Sequence, residues 1–197
     1  MKRRDRTSPR TGNRDRDGRG QRNARGSRAV RPGPPARPAR PRRSRREPFP
    51  VTACDCPDCR AACLNSPGWF LPRQLPRLAR FLGLTVEETF RRYLAVGVTL
   101  MPDGRRIHGV MPHKLRDRKK PGSVWTLREL AAPGRCIFFD RGRCTIHPVR
   151  PDECARMLHG REDRAVALRH RIVRHWTAAA LAPFARWTGR RLRGSDT

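Results

Sequence analysis

The chain has 197 residues, of which 46 are Lys or Arg and 17 are Asp or Glu, giving a formal net charge of +29. It contains no run of about 18–20 apolar residues, and no apolar segment follows its basic N-terminus, so we expect neither a membrane span nor a secretory signal. Seven cysteines, an odd number, argue against a secreted disulfide framework. We therefore expect a cytoplasmic protein, in which clustered thiols more often bind metal.

The first 50 residues form a basic segment with almost nothing to bury. Val30 is the only large aliphatic residue between Met1 and Phe49, and Pro and Gly interrupt the segment repeatedly. Burial cannot offset the entropy of ordering such a chain, so we predict a disordered tail over residues 1–50. Its arginines could bind nucleic acid non-specifically by releasing counterions from phosphates, although no aromatic residue precedes Phe49 to stack on bases.

Two helices and a strand are predicted where apolar residues return. Three-and-four spacing of apolar residues predicts a helix within Pro72 to Leu82 that stops at Gly83. Thr85-Val-Glu-Glu88 is a capping box, which marks the start of a second helix. Val96 to Met101 predicts a strand, followed by a turn at Met101-Pro-Asp-Gly104.

The second half of the chain mixes loops with a hairpin and helices. Residues 105–133 show little periodicity and are expected to be rich in loops. Asp140-Arg-Gly142 lies between two apolar segments and predicts a three-residue hairpin loop with Gly142 in the left-handed conformation. A short helix is predicted to begin at Pro151, and a longer one spans about Glu162 to Trp176.

The cysteines fall into two distant groups. The first group contains Cys54, Cys56, Cys59 and Cys63, and the second contains Cys136, Cys144 and Cys154. Thiolates suit zinc or iron–sulfur centres and not calcium or magnesium. Cys56-x2-Cys59 can form a tight turn that aims two sulfurs at one ion, and Cys63 follows Cys59 by one helical turn.

The second group is predicted to converge through local structure. A three-residue loop would place Cys136 diagonally across the hairpin from Cys144, on the same face. Cys154 falls in the first turn of the predicted helix, where the helix dipole favours a thiolate. A single cysteine would more simply be a small buried apolar residue, but this clustering favours metal binding.

One long motif resembles a known family. The run Cys136-Ile-Phe-Phe-x4-Cys144-Thr-Ile-His-x2-Arg150-Pro151-x2-Cys154, preceded by Cys56-x2-Cys59-x3-Cys63, is similar to the YkgJ-type cysteine-cluster family, a zinc/iron-chelating domain also called CxxCxxCC. The resemblance covers roughly Cys54 to Met157. It implies a cytoplasmic bacterial metal or iron–sulfur protein of undefined biochemical role, in which Arg150 and Pro151 shape the approach to Cys154.

The same resemblance implies a set of metal ligands. They are Cys56, Cys59, Cys63, Cys136, Cys144 and Cys154. Where the family pattern has adjacent cysteines this chain has Ala62-Cys63, so either that ligand is dispensable or Cys54 replaces it. Six thiolates exceed the four of one tetrahedral zinc site or one cubane cluster. Two zinc ions sharing thiolates, or one cluster with spare thiols, would account for them, and His147 is a further candidate.

Three functions are compatible with these observations. The first is a metal-binding module without catalytic activity. The second is an iron–sulfur enzyme, because a flagellin lysine N-methylase is similar in its cysteine motif; the absence of a nucleotide-binding glycine loop, a nucleophile elbow and paired carboxylates disfavours it. The third is a basic nucleic-acid-binding protein.

The expected organisation has three parts. We predict a disordered tail over residues 1–50, a small metal-centred α+β domain over residues 51–187, and a frayed basic C-terminus over residues 188–197. The domain should combine several helices with a short antiparallel hairpin beside the metal.

Overall fold

The computed structural model describes residues 56–116, 118–157 and 162–196, with only the backbone described for Glu162 and Asp163. The predicted tail and Cys54 lie outside the described residues. Those residues form seven α-helices and three two-stranded antiparallel sheets, β1–β2, β3–β4 and β5–β6. The predicted α+β class, with several helices and a short antiparallel hairpin, is confirmed.

The elements follow one another in this order along the chain. The helices are α1 (Pro57–Asn65), α2 (Leu75–Leu82), α3 (Val86–Tyr93), α4 (Leu127–Ala131), α5 (Asp152–Ala155), α6 (Glu162–Val173) and α7 (Ala178–Thr188). The strands are β1 (Leu94–Leu100), β2 (Arg106–Pro112), β3 (Lys114–Leu115), β4 (Arg135–Cys136), β5 (Phe139–Asp140) and β6 (Arg143–Cys144). None of the described helices combines the length and apolar character needed to cross a membrane.

Local signals set the ends of α2 and α3 as predicted. A 3₁₀ turn precedes α2, which ends at Gly83 in the left-handed conformation with φ 67°. Thr85 and Glu88 form the capping box of α3: the Glu88 N–H donates to Thr85 Oγ1 at 3.1 Å, and the Thr85 N–H donates to Glu88 Oε2 at 2.9 Å. Thr126 and Glu129 form a second capping box, at the start of α4, which was not predicted from the sequence.

The largest sheet, β1–β2, contains a strand, β2, that was not predicted from the sequence. Residues 105–133 were expected to be rich in loops, whereas β2 pairs with β1 over its whole length, from Leu94 opposite Pro112 to Leu100 opposite Arg106. Most of β2 is buried, so its sequence lacks the apolar–polar alternation of a half-exposed strand. Gly97 and Gly109 face each other in this register, and a Cβ at either position would lie within 3 Å of the Trp69 ring.

The β5–β6 hairpin forms at the predicted place but in a different register. Asp140 pairs with Arg143, so the loop has two residues, Arg141 and Gly142, with φ values of 44° and 79°. Two positive φ values are typical of a type I′ turn, whose twist matches that of the strands. The predicted three-residue loop is therefore wrong, although Gly142 has the predicted left-handed conformation.

This register changes where the hairpin cysteines lie. Cys144 stands opposite Phe139 in β5–β6, whereas Cys136 stands opposite Lys114 in the separate β3–β4 sheet. The predicted diagonal pair of Cys136 and Cys144 within one hairpin is therefore wrong. The β3–β4 pairing continues to Ile137, whose N–H donates to His113 O at 2.9 Å, and the chain changes partner at Phe138, whose carbonyl accepts from the Thr145 N–H at 2.8 Å.

The C-terminal residues were expected to fray, but the structure ties them to the body. The Ser195 N–H donates to Trp176 O at 2.8 Å, and the His108 N–H donates to Arg193 O at 2.8 Å. These are backbone bonds, so the basic side chains of this segment stay at the surface while its backbone is held. The composition of a segment describes its side chains, so it does not indicate that its backbone N–H and C=O groups are hydrogen-bonded.

A buried extended segment, Pro67–Leu71, lies at the centre of the domain. The Trp69 N–H donates to Glu153 Oε2 at 2.9 Å, and Trp69 O accepts from the Glu153 N–H at 3.3 Å. The Phe70 N–H donates to Val110 O at 3.0 Å, and Phe70 O accepts from the Trp176 indole N–H at 2.8 Å. The backbone of two residues thus joins β2, α5 and the α6–α7 junction, and satisfies groups that would be costly to bury unpaired.

Trp176→Phe should destabilise the domain more than Trp187→Phe. The first change leaves the buried Phe70 carbonyl without its indole partner and also creates a small cavity, together costing about 2–4 kcal/mol. Trp187 packs on the rings of Phe90 and Phe184 and its indole N–H has no hydrogen bond to the described residues, so its replacement should cost about 1 kcal/mol. Urea unfolding of both variants would measure the difference, and equal losses would contradict the role assigned to the Trp176 hydrogen bond.

Candidate metal-binding site

Five cysteines from four separate elements line one cavity. Helix α1 provides Cys59 and Cys63, β4 provides Cys136, β6 provides Cys144, and α5 provides Cys154. The cavity has a volume of about 40 Å³. Space on this scale holds an ion or a few waters and no larger ligand.

Helix α1 presents its cysteines as the sequence spacing predicts. Cys59 and Cys63 are one helical turn apart on one face, and both line the cavity. Cys56 is the N-cap residue of α1 and does not line the cavity. The helix begins at Pro57, a residue favoured in the first turn, which leaves Cys56 outside the helix.

The cysteines of the second group reach the cavity from different directions. Cys136 is 5% exposed and belongs to the larger apolar core, with Cys63 and Cys144 packed against that core. No disulfide joins any two of the six described cysteines. The cavity brings cysteines of both groups together, and the convergence of Cys136 and Cys144 comes from two sheets and not from one hairpin.

Helix α5, which carries Cys154, is held by a buried carboxylate. Glu153 is 3% exposed, accepts from the Trp69 N–H, and forms an ion pair with Arg169 at 2.8 Å. A buried carboxylate needs such partners, because a lone buried charge is costly. No pattern in the sequence indicated this pairing of Glu153 with Arg169.

Two further residues fix the approach of α5 to the cavity. Gln74 Oε1 accepts from the N–H groups of Leu71 and Asp152, at 2.9 and 3.0 Å, so it joins the 3₁₀ turn to the start of α5. Gly68 lies against Cys154: a Cβ on Gly68 would be 2.6 Å from the Cys154 sulfur. No pattern in the sequence indicated the role of Gln74 or of Gly68.

Burial and mutual proximity raise the pKa values of two cavity thiols. Burial, with smaller contributions from the nearby Cys63 and Cys144 thiols, raises the pKa of Cys136 to about 12, while the backbone N–H of Phe138 opposes the shift. The thiols of Cys136 and Cys154 are therefore protonated at neutral pH unless a cation compensates.

The same causes act on Cys154. Burial raises the pKa of Cys154 well above its ordinary value, Cys136 and Cys63 add to the shift, and the backbone N–H of Gly68 opposes it. The four thiols of Cys63, Cys136, Cys144 and Cys154 thus lie near enough for their charges to interact.

Residues around the cysteines complete the cavity wall. His147 lines it, and Arg150 Nη1 lies 2.9 Å from His147 Nε2 and donates to the His147 carbonyl at 3.0 Å. Pro151 is buried and also lines the cavity. Arg150 and Pro151 are thus next to the sulfurs, at the positions where the family resemblance implies a shaping role.

The donor chemistry of the cavity fits a soft metal, while the spacing of the donors is wider than in a formed coordination sphere. Thiolate and imidazole are the ligands of zinc, and thiolates are the ligands of iron–sulfur clusters. Across residues 56–116, 118–157 and 162–196, however, no three Cys, His, Asp or Glu side chains are grouped closely enough to hold an ion. Metal binding would require these side chains to draw together.

Fold and site together define an α+β protein with a cysteine-lined cavity. No family model matches the chain, and comparisons with curated proteins and with solved structures found no significant match either. The resemblance to the YkgJ-type family therefore depends on the cysteine motif alone.

Alkylation should show the perturbed thiol of Cys136 directly. In chelator-treated protein we expect Cys136 to react more slowly with iodoacetamide than Cys56, because Cys136 is buried and its pKa is raised to about 12. Its rate should keep rising about tenfold per pH unit above pH 9, where an ordinary thiol, with a pKa of about 8.5, levels off. Mass spectrometry of tryptic peptides would give both rates, and a Cys136 rate that levels off near pH 9 would contradict this environment.

Proposed function

We propose that the cysteine-lined cavity binds zinc or an iron–sulfur cluster, and that the protein is a metal-binding module of the YkgJ type. The observation that carries the proposal is that elements between Cys59 and Cys154 place five thiols around one small cavity. If the cysteines served only as small apolar residues, nothing would require five of them to lie around the same cavity.

Four of the thiols are the best candidates for direct ligands. The pKa of Cys136 is raised by Cys63 and Cys144, and the pKa of Cys154 is raised by Cys136 and Cys63, so these four thiols lie near one another. Four thiolates complete a tetrahedral zinc site or a cubane cluster. A bound cation would favour the thiolate forms that burial disfavours. Cys59 would be a fifth donor at the same cavity, and His147 a sixth.

Backbone N–H groups near the sulfurs also support the proposal. The N–H groups of Phe138 and Gly68 lower the pKa values of Cys136 and Cys154 respectively, against the larger effect of burial. Hydrogen bonds of this kind stabilise thiolate ligands and tune the potential of iron–sulfur clusters.

The geometry favours a structural role for the metal over catalysis at the cavity. None of the residues of α1 is buried, so the helix contributes little to the apolar core. A metal bound by Cys59 or Cys63 together with Cys136 would attach α1 to the rest of the domain, and its binding energy would become folding energy. The cavity, at about 40 Å³, is also far smaller than the roughly 300–1,000 Å³ of small-molecule sites.

The metal content of serine variants should distinguish cysteines that bind the metal from cysteines that do not. Cys63→Ser, Cys136→Ser, Cys144→Ser and Cys154→Ser should each lower the bound metal by more than about half, because a structural site needs all of its ligands. Cys56→Ser is the matched control and should keep wild-type metal content, since Cys56 lies in the same helix region but outside the cavity. Elemental analysis of anaerobically purified full-length protein measures the metal, and visible absorption distinguishes a cluster from zinc.

The same variants test the structural role. Chelation should lower the melting temperature of the wild type to that of Cys136→Ser and should change Cys136→Ser itself little. Wild-type protein without zinc or iron, or cavity variants with full metal content, would overturn the proposed function.

Gly68→Ala and Gly97→Ala form a second matched pair. Each adds a methyl group that would lie within 3 Å of a neighbour, the Cys154 sulfur for Gly68 and the Trp69 ring for Gly97, so each should cost about 1–3 kcal/mol. Only Gly68→Ala should also reduce the metal content, because it moves a cysteine. Equal metal content in the two variants would contradict the placement of Cys154 at the metal.

A further inference from the structure

A second, much larger cavity lies away from the cysteines. It is a cleft of about 1,120 Å³ whose walls come from the β1–β2 turn, the segment at residues 124–128 and the C-terminal segment at residues 191–196. It shares no lining residue with the cysteine cavity. Its volume is at or above the upper end of the range for small-molecule sites.

Positive charges outnumber negative ones in the cleft, where five arginines stand against two carboxylates, a net charge of +3. Two carboxylates line it, Asp103 and Asp196, and both bind Arg105 at 2.8 Å. Four further arginines line the cleft, and none of them has an ion-pair partner among the described residues: Arg106, Arg128, Arg191 and Arg193. A cleft with such an excess of positive charge concentrates anions.

Hydrogen bonds hold the segment that carries Arg191 and Arg193 in place. The Arg193 N–H donates to His108 Nδ1 at 2.9 Å, and Arg193 O accepts from the His108 N–H at 2.8 Å. Ser195 Oγ donates to Arg174 O at 2.6 Å. Residues 191–194 are not helical, and Leu192 packs against the core between Arg191 and Arg193, which places both arginines toward the outside.

The two rings that line the cleft are the buried indole of Trp125 and the half-buried imidazole of His108, whose Nδ1 accepts from the Arg193 N–H. The inner wall of the cleft contains Val98, Ile107 and Trp125, all buried, and Trp125 is only 1% exposed. Recognition would therefore depend on the guanidinium groups, whose planar donors match phosphate oxygens.

We propose that this cleft binds a ligand with two or more neighbouring phosphate groups. Four guanidiniums without an ion-pair partner among the described residues exceed what a single phosphate needs, and they come from three separate segments of the chain. Such groups occur both in a nucleoside polyphosphate and in the backbone of a single nucleic-acid strand. This site is independent of the metal proposal, because the two cavities share no residue.

The test compares two full-length variants with the same change in charge. The cleft variant replaces four lining arginines by Gln: Arg106, Arg128, Arg191 and Arg193. The control variant replaces four exposed arginines outside the cleft by Gln: Arg73, Arg80, Arg164 and Arg186. Binding of inorganic tripolyphosphate is measured by calorimetry, and binding of a labelled oligo-dT strand by anisotropy over a range of salt. The basic tail is present in both proteins, so its contribution cancels in the comparison.

We expect the cleft variant to bind at least one probe about tenfold or more weakly, and the control variant to differ from the wild type by less than about threefold. Loss for tripolyphosphate alone identifies a small polyphosphate, and loss for oligo-dT identifies a strand, with a fall of about 3 in the salt slope if all four contacts are made. Equal losses in the two variants, or no binding of either probe by the wild type, would overturn the proposal.

A measurement on the wild type removes any dependence on how the variants fold. Addition of tripolyphosphate or oligo-dT should slow hydrogen exchange in residues 103–108 and 191–196, which line the cleft, and not in residues 75–82, which do not. Protection confined to other parts of the chain would also overturn the proposal.

Discussion

The backbone of Trp69 and Phe70 is the constraint on which the described domain depends. Their four main-chain polar groups bond to Glu153, Val110 and Trp176, residues that are distant in sequence. Buried N–H and C=O groups cannot be left unpaired without cost, so these bonds fix where three other elements lie. Gly97 and Gly109 leave room for the Trp69 indole against β1 and β2, and this packing sets the distance between the segment and the sheet.

The cysteine cavity follows from the same segment. Gly68 precedes Trp69 and lies against Cys154, while Glu153, the residue before Cys154, bonds to Trp69 through both its side chain and its backbone. The position of Cys154 is therefore set by neighbours of the central segment and not by α5 alone, which has only four residues. Cys136 reaches the cavity through the β3–β4 sheet, whose first strand follows directly after β2.

Strand β2 separates the two candidate sites. Pro112 at its end lines the cysteine cavity, and Arg106 to His108 at its start line the cationic cleft. Seven residues of extended chain span about 20 Å, so the sites are distinct in position as well as in chemistry. The sulfur lining of one suits soft cations, and the guanidinium lining of the other suits anions.

The sequence by itself determined what depends on neighbours within about four residues. The capping box at Thr85, the helix stop at Gly83 and the left-handed Gly142 were all predicted correctly, because each is a local backbone requirement. The spacing of Cys59 and Cys63 likewise placed both on one helix face.

Only the tertiary structure decided which distant residues meet. It showed that β2 pairs along its whole length, that Cys136 and Cys144 lie in different sheets, and that the C-terminal segment is tied to His108 and Trp176. It also joined Trp69 to Glu153 across 84 residues and Phe70 to Trp176 across 106. The physical reason is that a buried polar group can be satisfied by any suitable partner, and only packing in three dimensions selects which one.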